Sequence, residues 1–553
     1  VSAGLVGCSA DDAPDEPQDV VIPEGDLADQ SGTLTPSNPT TITTWITSAS
    51  QVPANDNKIT ALLEEQLGVT LKYEIVTPDN VDQKIGVMLA GGEFPDLVGT
   101  TDLKMRLLEG GALLPLDDML ETGDYPNLAT HVEDDINKMS YSGTEVDPGL
   151  YIIPNYNRFY GEITGGTYYG PAFWIQKRVL EDAGYPELEN MTLERYFELI
   201  ENFKAENPET EGIPTVGFEL LASTGREWGM TNPPALLSGS PNNGGVIVDE
   251  DGNAEIYADK DIARDFYEVL NEQYDAGLVD PESFTLTFDQ YTAKLAAGNV
   301  LGMHDQGWNF QTASDSLRSA GKDEYTYVPL MPVYDGVEPW YADRDVMNTN
   351  QGFGVSASSE QPEKALKFLD IMLSEPWQKV LSWGIEGEDY EVGDDGMFVR
   401  TEEQRANARD LTWRASNRLE ALLDMLPKHQ GQFSDGNAFS PDDQPTEFFE
   451  TLTDYDRGFM EQYDKKTWRE FVNAPPENPK YYPAWNIALS DDANQVNQQL
   501  TDANVQHLPK IIAGDPAEFD ANWEAYVGAI GNIDVQVYED AINAGIQERL
   551  SNW

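Results

Sequence analysis

Cysteine is all but missing. Cys8 is the only one in 553 residues, so no disulfide can form within the chain and no thiolate metal cluster can assemble. Histidine is nearly as scarce: His131, His304, His429 and His507 are the four, and no two sit at the short spacing of a zinc site. No run of about 18 apolar residues occurs, which excludes a membrane-spanning helix. A Gly-x-Ser-x-Gly elbow, a His-Glu-x-x-His helix and a phosphate-cradling glycine loop are absent, so no catalytic residue, metal or cofactor is expected. Basic side chains are short too, 34 Lys+Arg against 98 Asp+Glu, a net charge of −64. Such a surface repels phosphate backbones and anionic headgroups, which excludes nucleic-acid binding. It also disfavours a polyanionic ligand such as alginate, unless a local basic pocket intervenes. Otherwise the acid is a solvated coat that keeps the protein soluble. With so many carboxylates, pairs of them carry no catalytic information; a glycosidase needs two in one site, and spacing alone does not show that.

What is present is a foldable chain. The hydrophobic fraction is 40% and the aromatic fraction 10%, with 12 Trp and 25 Tyr, ample for a packed protein. The length fits two large lobes or three smaller units. Residues 1–8 read Val-Ser-Ala-Gly-Leu-Val-Gly-Cys, like the tail of a signal peptide. Leu5-Val6-Gly7-Cys8 resembles the lipobox of bacterial lipoproteins, in which the cysteine carries the lipid. Residues 9–39 hold Asp11, Asp12, Asp15, Glu16, Asp19, Glu24, Asp26 and Asp29 without one Lys or Arg. They read as a flexible acidic tether. Lipid, tether and globular body together imply anchorage on the extracellular face of the cytoplasmic membrane.

The body opens with alternating strand and helix patterns. Residues 41–46 read as a strand, and 55–67 as an amphipathic helix stopped by Gly68. Residues 69–76 form a second strand, 80–90 a second helix and 94–98 a third strand. This order implies a parallel sheet covered by helices. Ligands of such sheets sit at the carboxyl ends of strands, which points to Trp45, Thr101 and Asp102. A second α/β block follows: a strand at 172–176, helices at 177–183, 193–205, 262–276 and 288–297, and a buried strand at 299–303. A helix at 362–373 and a mostly helical region from about 400 complete the chain. Asp249 to Asn253 reads as a hairpin turn.

Several stretches then resemble one family together. Gly92-Glu93-Phe94-Pro95-Asp96, Tyr274 to Asp280, Ala297 to Met303, Pro362 to Asp370 and Gly384-Ile385-Glu386-Gly387-Glu388-Asp389-Tyr390 are similar, in that order, to segments of extracellular solute-binding lipoproteins of bacterial ABC importers. They look most like the large oligosaccharide-binding subgroup. The resemblance implies an α/β, two-lobe periplasmic-binding-protein-like fold with a multi-segment hinge and helical C-terminal additions. On this reading lobe 1 takes residues 40–171 and 306–400, and lobe 2 takes 172–305 with part of 401–553. The resemblance also implies a monomer that captures an oligosaccharide and hands it to ABC permease subunits. Some members carry an Asp/Asn-rich calcium loop; the matching stretch here, Glu206 to Ile213, lacks the alternation of oxygen ligands such a loop needs.

A sugar ring offers a C–H face to aromatics and hydroxyls to planar polar groups. The candidate contacts are therefore Asp305, Gln306 and Trp308 after the buried strand; Trp340, Tyr341 and Arg344; and Trp45 with Thr101 and Asp102. To these are added Trp228 from the second lobe, Tyr160 and Tyr169 at the first crossover, and Trp383 and Glu386 at the Gly384 turn. Any one tryptophan is equally at home in a core; Trp174 and Trp377 look like core. Two other readings stay open, an oligopeptide-binding lipoprotein and a secreted glycan hydrolase or lyase.

Overall fold

The computed structural model describes residues 27–553 apart from 48–51, 78–79, 101–103, 134, 144, 162–164, 223–224 and 344–347. Cys8 and most of the expected tether lie outside the described residues, as do Thr101, Asp102 and Arg344. Two principal sheets are built from β1 (Thr40–Thr47), β2 (Val69–Val76), β3 (Leu97–Thr100), β4 (Ile153–Pro154), β5 (Pro171–Gln176), β6 (Val216–Glu219), β7 (Val300–Gln306), β8 (Tyr327–Leu330) and β9 (Gly352–Val355). The first sheet has the order β2-β1-β3-β9-β4 and the second β8-β5-β7-β6. In the first, β1 runs parallel to β2 and β3, with Thr44 opposite Leu97, while β9 returns antiparallel. In the second, β7 is antiparallel to β5 and parallel to β6. One sheet founds each lobe.

Local chemistry explains the elements. Helix α1 (Lys58–Leu67) starts where the Asn57 side chain accepts from the amides of Ile59 and Thr60, and ends at Gly68 with φ 65°. A residue with a Cβ is strained in that left-handed cap. Its buried stripe of Ile59, Leu62, Leu63 and Leu67 faces the first sheet, each side chain contributing about 1.5–3 kcal/mol on burial. Helix α2 (Val81–Gly91) closes at Gly92 in the same way. In the second lobe, α3 (Asp261–Asp275) is strongly amphipathic, and α4 (Phe288–Ala297) opens with a Thr287–Gln290 capping box. Helices α5 (Gln311–Ser319), α6 (Pro362–Met372) and α7 (Leu411–Asn417) precede three long C-terminal helices, α8 (Asp491–Ile512), α9 (Phe519–Ile530) and α10 (Val535–Asn552). These three pack on the second lobe. Buried Asn271 of α3 donates to the carbonyls of Ile511, Ile512 and Gly514 at 2.8–3.1 Å, satisfying the end of α8.

The cores redraw two expected boundaries. Leu27 and Leu34 are 3% and 1% exposed and pack with the first lobe. The Trp377 indole donates to the Leu27 carbonyl at 2.9 Å, and the Asp29 carboxylate accepts from the amides of Ser31 and Leu34. Residues 27–39 are thus folded body, not tether: two leucines seven apart give the segment something to bury. The stretch 306–342, expected in the first lobe, belongs to the second. Phe310, Leu317, Val328, Leu330 and Tyr341 join its core, and β8 pairs with β5. The chain adds one more antiparallel strand before it crosses back.

Among the described residues the chain passes between the lobes three times, after Asn155, after Ala342 and after Gly431. The third passage follows Lys428–Gly431, paired in parallel with Tyr156–Tyr160 of the first, and reaches the second core at Phe448. Asp249 to Asn253 turns an antiparallel hairpin between 246–248 and 254–256. Within 206–214 lies a second hairpin, Glu209–Thr210 against Ile213–Pro214, with Glu211 and Gly212 both at positive φ. Among the described residues, no helix is long and apolar enough to cross a membrane, and no group of three or more His, Cys, Asp or Glu is placed to hold a metal.

Candidate functional site

Several expected ligand contacts turn out to be framework. Trp45 is 1% exposed and packs with Ile85, Val98 and Leu107; its position within β1 turns it towards the helix layer rather than the strand end. Trp383 is fully buried, donates from Nε1 to Ala438 O at 2.9 Å and meets Phe398 edge-on at 5.2 Å. Tyr341 is fully buried and donates its hydroxyl to Pro332 O at 2.6 Å. Trp340 is half-buried; its indole donates to Asp343 Oδ1 at 2.8 Å, while the Tyr482 hydroxyl donates to Oδ2 at 2.5 Å. Burial pushes the Asp343 carboxyl up to about 6 despite those bonds. Tyr160 leans on His429 at 5.0 Å. Glu386 is exposed on the Gly384 turn.

Asp305 is also fully buried, yet it organises the best exposed group. Its carboxylate accepts from the Tyr291 hydroxyl at 2.8 Å, from Asn309 Nδ2 at 3.0 Å and from the Gln306 amide at 2.7 Å. Arg226 completes the cluster by donating to Asn309 Oδ1, with its guanidinium 3.8 Å over the Phe288 ring. Burial raises the Asp305 carboxyl to about 7, against the pull of these donors. The network pins half-buried Gln306 and the turn after it. Gly307 donates to Gly170 O at 3.0 Å and Trp308 to Tyr169 O at 3.2 Å. A Cβ on Gly307 would stand 2.9 Å from the Tyr168 carbonyl oxygen, so only glycine allows this approach to the first crossing.

The outcome is an indole held out into solvent. Trp308 is 53% exposed, and Trp228 lies beside it at 5.7 Å between ring centroids and 36° between planes. Leaving so large an apolar surface wet is unfavourable, which marks it as a contact surface. Tyr169, at the foot of this turn, donates its hydroxyl to Asp442 Oδ2 at 2.9 Å on the third crossing. Burial and the carboxylates of Asp442, Asp443 and Asp315 push that hydroxyl well above the usual tyrosine range.

The facing wall comes from residues the sequence did not single out. Helix α7 is moored to α1 because Asn57 Nδ2 donates to the carbonyls of Ala415 and Arg418 at 2.9 and 2.7 Å. Half-buried Trp413 on α7 lies under Arg418 at 5.0 Å and Lys58 at 5.8 Å. Arg414 grips Glu420 with two bonds of 2.7 and 2.8 Å and reaches Asp315 of α5 at 3.2 Å. That ion pair ties the first lobe to the second. At another edge Ser142 donates to Glu548 of α10 at 3.1 Å. The only sequence signal for α7 was its N-cap Asp410; nothing in its spacing announces a cleft wall. A recess of about 710 Å³ on the first lobe, lined by Leu108, Leu113, Val146 and Tyr151 among others, has neither tryptophan nor cation.

The model of the bacterial extracellular solute-binding protein family matches residues 58–382, more than half the chain. The chain belongs to that family. Among its relatives is the fructooligosaccharide ABC transporter substrate-binding protein FusA of Streptococcus pneumoniae, 23% identical over 350 residues. The match covers 61% of this chain and 61% of FusA's own length. Lipoprotein LipO of Bacillus subtilis is 23% identical over 366 residues, 63% of this chain and 67% of LipO. Of solved structures, the HMO-binding solute-binding protein of Bifidobacterium longum infantis is similar at a TM-score of 0.64 and 16% identity, over 92% of this chain and 99% of that one. The family's two-lobe α/β fold is the fold described above.

Proposed function

We propose that this family member is the substrate-binding component of an ABC importer, capturing a neutral oligosaccharide between its lobes and delivering it to membrane permease subunits. One observation carries the reading: Trp308, more than half exposed and backed by Trp228, stands on a rigid turn beside the hinge crossings. A pair of flat, amphipathic rings suits the C–H face of a pyranose or furanose. The names of FusA and of the Bifidobacterium protein, a fructooligosaccharide carrier and an HMO binder, support the ligand class. The net charge of −64 supports a neutral glycan over an acidic one.

The mechanism is lobe closure. Ligand stacks on Trp308, and the three crossings let the wall bearing Trp413 and Arg414 come down on it. Closure is driven only to the extent that ligand binds the closed form better. The chain supplies no chemistry; ligand leaves as it arrived. A lipid on Cys8 would hold the protein, as a monomer, at the outer face of the cytoplasmic membrane, with two or three acyl chains making the anchorage durable. The relative named as a lipoprotein supports this.

A thermal-shift series tests the reading. Folded protein is heated with fructooligosaccharides, human-milk-type oligosaccharides, acidic glycans and short peptides, and every hit is checked for products. A ligand that binds only the folded state raises the melting temperature. A shift with neutral oligosaccharides and no turnover is the expected result. A shift with peptides alone, or any cleavage of a glycan, overturns it.

A further inference from the structure

The hinge end of the cleft contains an arginine that does not behave like its neighbours. Arg405 holds Glu447 with two bonds of 2.9 and 2.8 Å. Arg414 holds Glu420 in the same bidentate way. Arg418 bonds Asp389 at 3.1 Å and the Trp383 carbonyl at 2.8 Å, and Arg409 reaches Thr451 O at 3.2 Å. Among the described residues, the Arg400 side chain makes no hydrogen bond and no ion pair. Its guanidinium lies 5.1 Å over the Trp383 ring, and its Nε is buried without an acceptor. Scarcity of partners is no explanation, because acids outnumber bases 98 to 34 in this chain. A buried Nε–H with nothing to bond is costly, and the terminal N–H groups of this half-buried side chain stay open to solvent.

What Arg400 lacks is acceptors, not countercharge. Asp442, Glu447 and Asp389 all act on it electrostatically, and Arg418 opposes them. Glu447 is held by Arg405, and Asp389 by Arg418 and Lys58, so the countercharge left to the fork is chiefly that of Asp442, which disfavours a ligand carboxylate there. A neutral oxygen pair is not disfavoured. Arg400 also stands beside the third crossing: its own amide donates to Glu447 Oε1 at 2.8 Å, and the Phe398 amide donates to Asn437 Oδ1 at 2.7 Å. Asp442, which acts on it, accepts from the Tyr169 hydroxyl, and the Tyr169 carbonyl accepts from the Trp308 amide. The line Trp383, Arg400, Asp442, Tyr169, Trp308 therefore runs across two crossings to the exposed indole.

We propose that Arg400, held over Trp383, is a specificity-determining residue whose open guanidinium fork receives two adjacent hydroxyls of a neutral sugar unit at the hinge end of the cleft. This rests on the oligosaccharide reading above and deepens it. The fork is planar and pre-organised. It rewards a pair of oxygens at fixed spacing, while the Asp442 carboxylate disfavours a uronic unit in the same place. Trp308 would then bind a sugar face and Arg400 a sugar edge, which gives the cleft an orientation.

Calorimetric titration with the neutral oligosaccharide that produces the largest thermal shift tests this, comparing wild type with Arg400→Met and Arg400→Lys. Both variants are expected to bind about tenfold more weakly, with the ligand-free melting temperature unchanged. Lys keeps the charge and loses the fork, so its failure to rescue separates hydrogen bonding from electrostatics. Wild-type affinity is expected to stay level as salt rises. The proposal is overturned if either variant binds like wild type, if added salt sharply weakens binding, or if an acidic oligosaccharide of equal length binds wild type more tightly. Binding by wild type with unaffected variants sinks this inference alone. Failure of wild type to bind any neutral oligosaccharide sinks both it and the reading it rests on.

Discussion

Two tryptophans at comparable places in the two lobes have opposite fates. Trp45 lies near the end of β1 in the first lobe and is 1% exposed; Trp308 follows the end of β7 in the second and is 53% exposed. Trp45 is still inside the ladder, opposite Glu74 and Val98, so the pleat assigns it to the face that α2 covers. Trp308 is two residues past its strand, on a turn whose direction is set by Gly307 against the Tyr168 backbone and by the network around Asp305. A strand end points to a cleft only for residues that have left the ladder. Buried acids meet two fates as well. In the first lobe, Asp389 is buried, which raises its pKa, yet Arg418 and Lys58 hold it below the usual range; Asp29 and Asp96, also partly buried, are held low by hydrogen bonds. In the second, Asp280 and Asp456 are held low against their burial by hydrogen bonds and a lysine each, but burial wins at Glu219, which rises to about 9, and at Asp305, which rises to about 7.

The largest effect expected from breaking this comparison is at Trp45. Trp45→Ala empties a core site and lowers unfolding free energy by about 3–5 kcal/mol in chemical denaturation, with ligand affinity of the folded fraction intact. The opposite pattern, full stability with lost affinity, would return Trp45 to the cleft.

Next is the pH response of the second lobe. The raised Glu219 carboxyl keeps its proton in the native state up to about pH 9 but releases it near 4.5 when unfolded. The native state therefore binds more protons across that window, and stability falls as pH rises through it. Glu219→Gln keeps a neutral donor in place. Its melting temperature should decline less than wild type's between pH 5 and 9, and parallel curves would show that Glu219 is not the source.

Trp308→Ala is a smaller change in energy. It should weaken neutral oligosaccharide binding about tenfold to thirtyfold, ~1.4–2 kcal/mol, with melting temperature unchanged because the side chain is already in water. The smallest effect belongs to Arg414→Ala, which cuts the tie to Asp315. An ion pair this close to solvent is worth about 0.5–1 kcal/mol. The readout is a larger radius of gyration of the ligand-free protein by small-angle scattering, with unchanged thermal stability.

Much of the fold was legible. The Ile59-Leu62-Leu63-Leu67 stripe and Gly68 mark the face and the end of α1, whose start, expected at 55, lies three residues later at Lys58 behind the Asn57 cap, and the alternation of β1, α1, β2, α2 and β3 implies the first sheet. Trp174 and Trp377, read as core, are 5% and 0% exposed. Of the candidate site, Trp308 and Trp228 were visible as a possibility, whereas Trp413, Arg400 and Asp442 were not. Those three sit in the C-terminal third, on short elements joined by loops, where periodicity carries no long-range information.

The sequence by itself determined the class of the molecule: its acidity, its single cysteine, its α/β alternation and the ordered motifs that mark the family. Those are properties of composition and of neighbours a few residues apart. Only the tertiary structure decided which aromatic rings are core and which are wet, where the chain leaves one lobe for the other, and that the Arg400 side chain finds no hydrogen-bond acceptor among the described residues. Burial and pairing depend on surfaces brought together from residues tens to hundreds apart. Arg414 and Asp315 are 99 positions apart, and Tyr169 and Asp442 are 273 apart; no local pattern could have joined them.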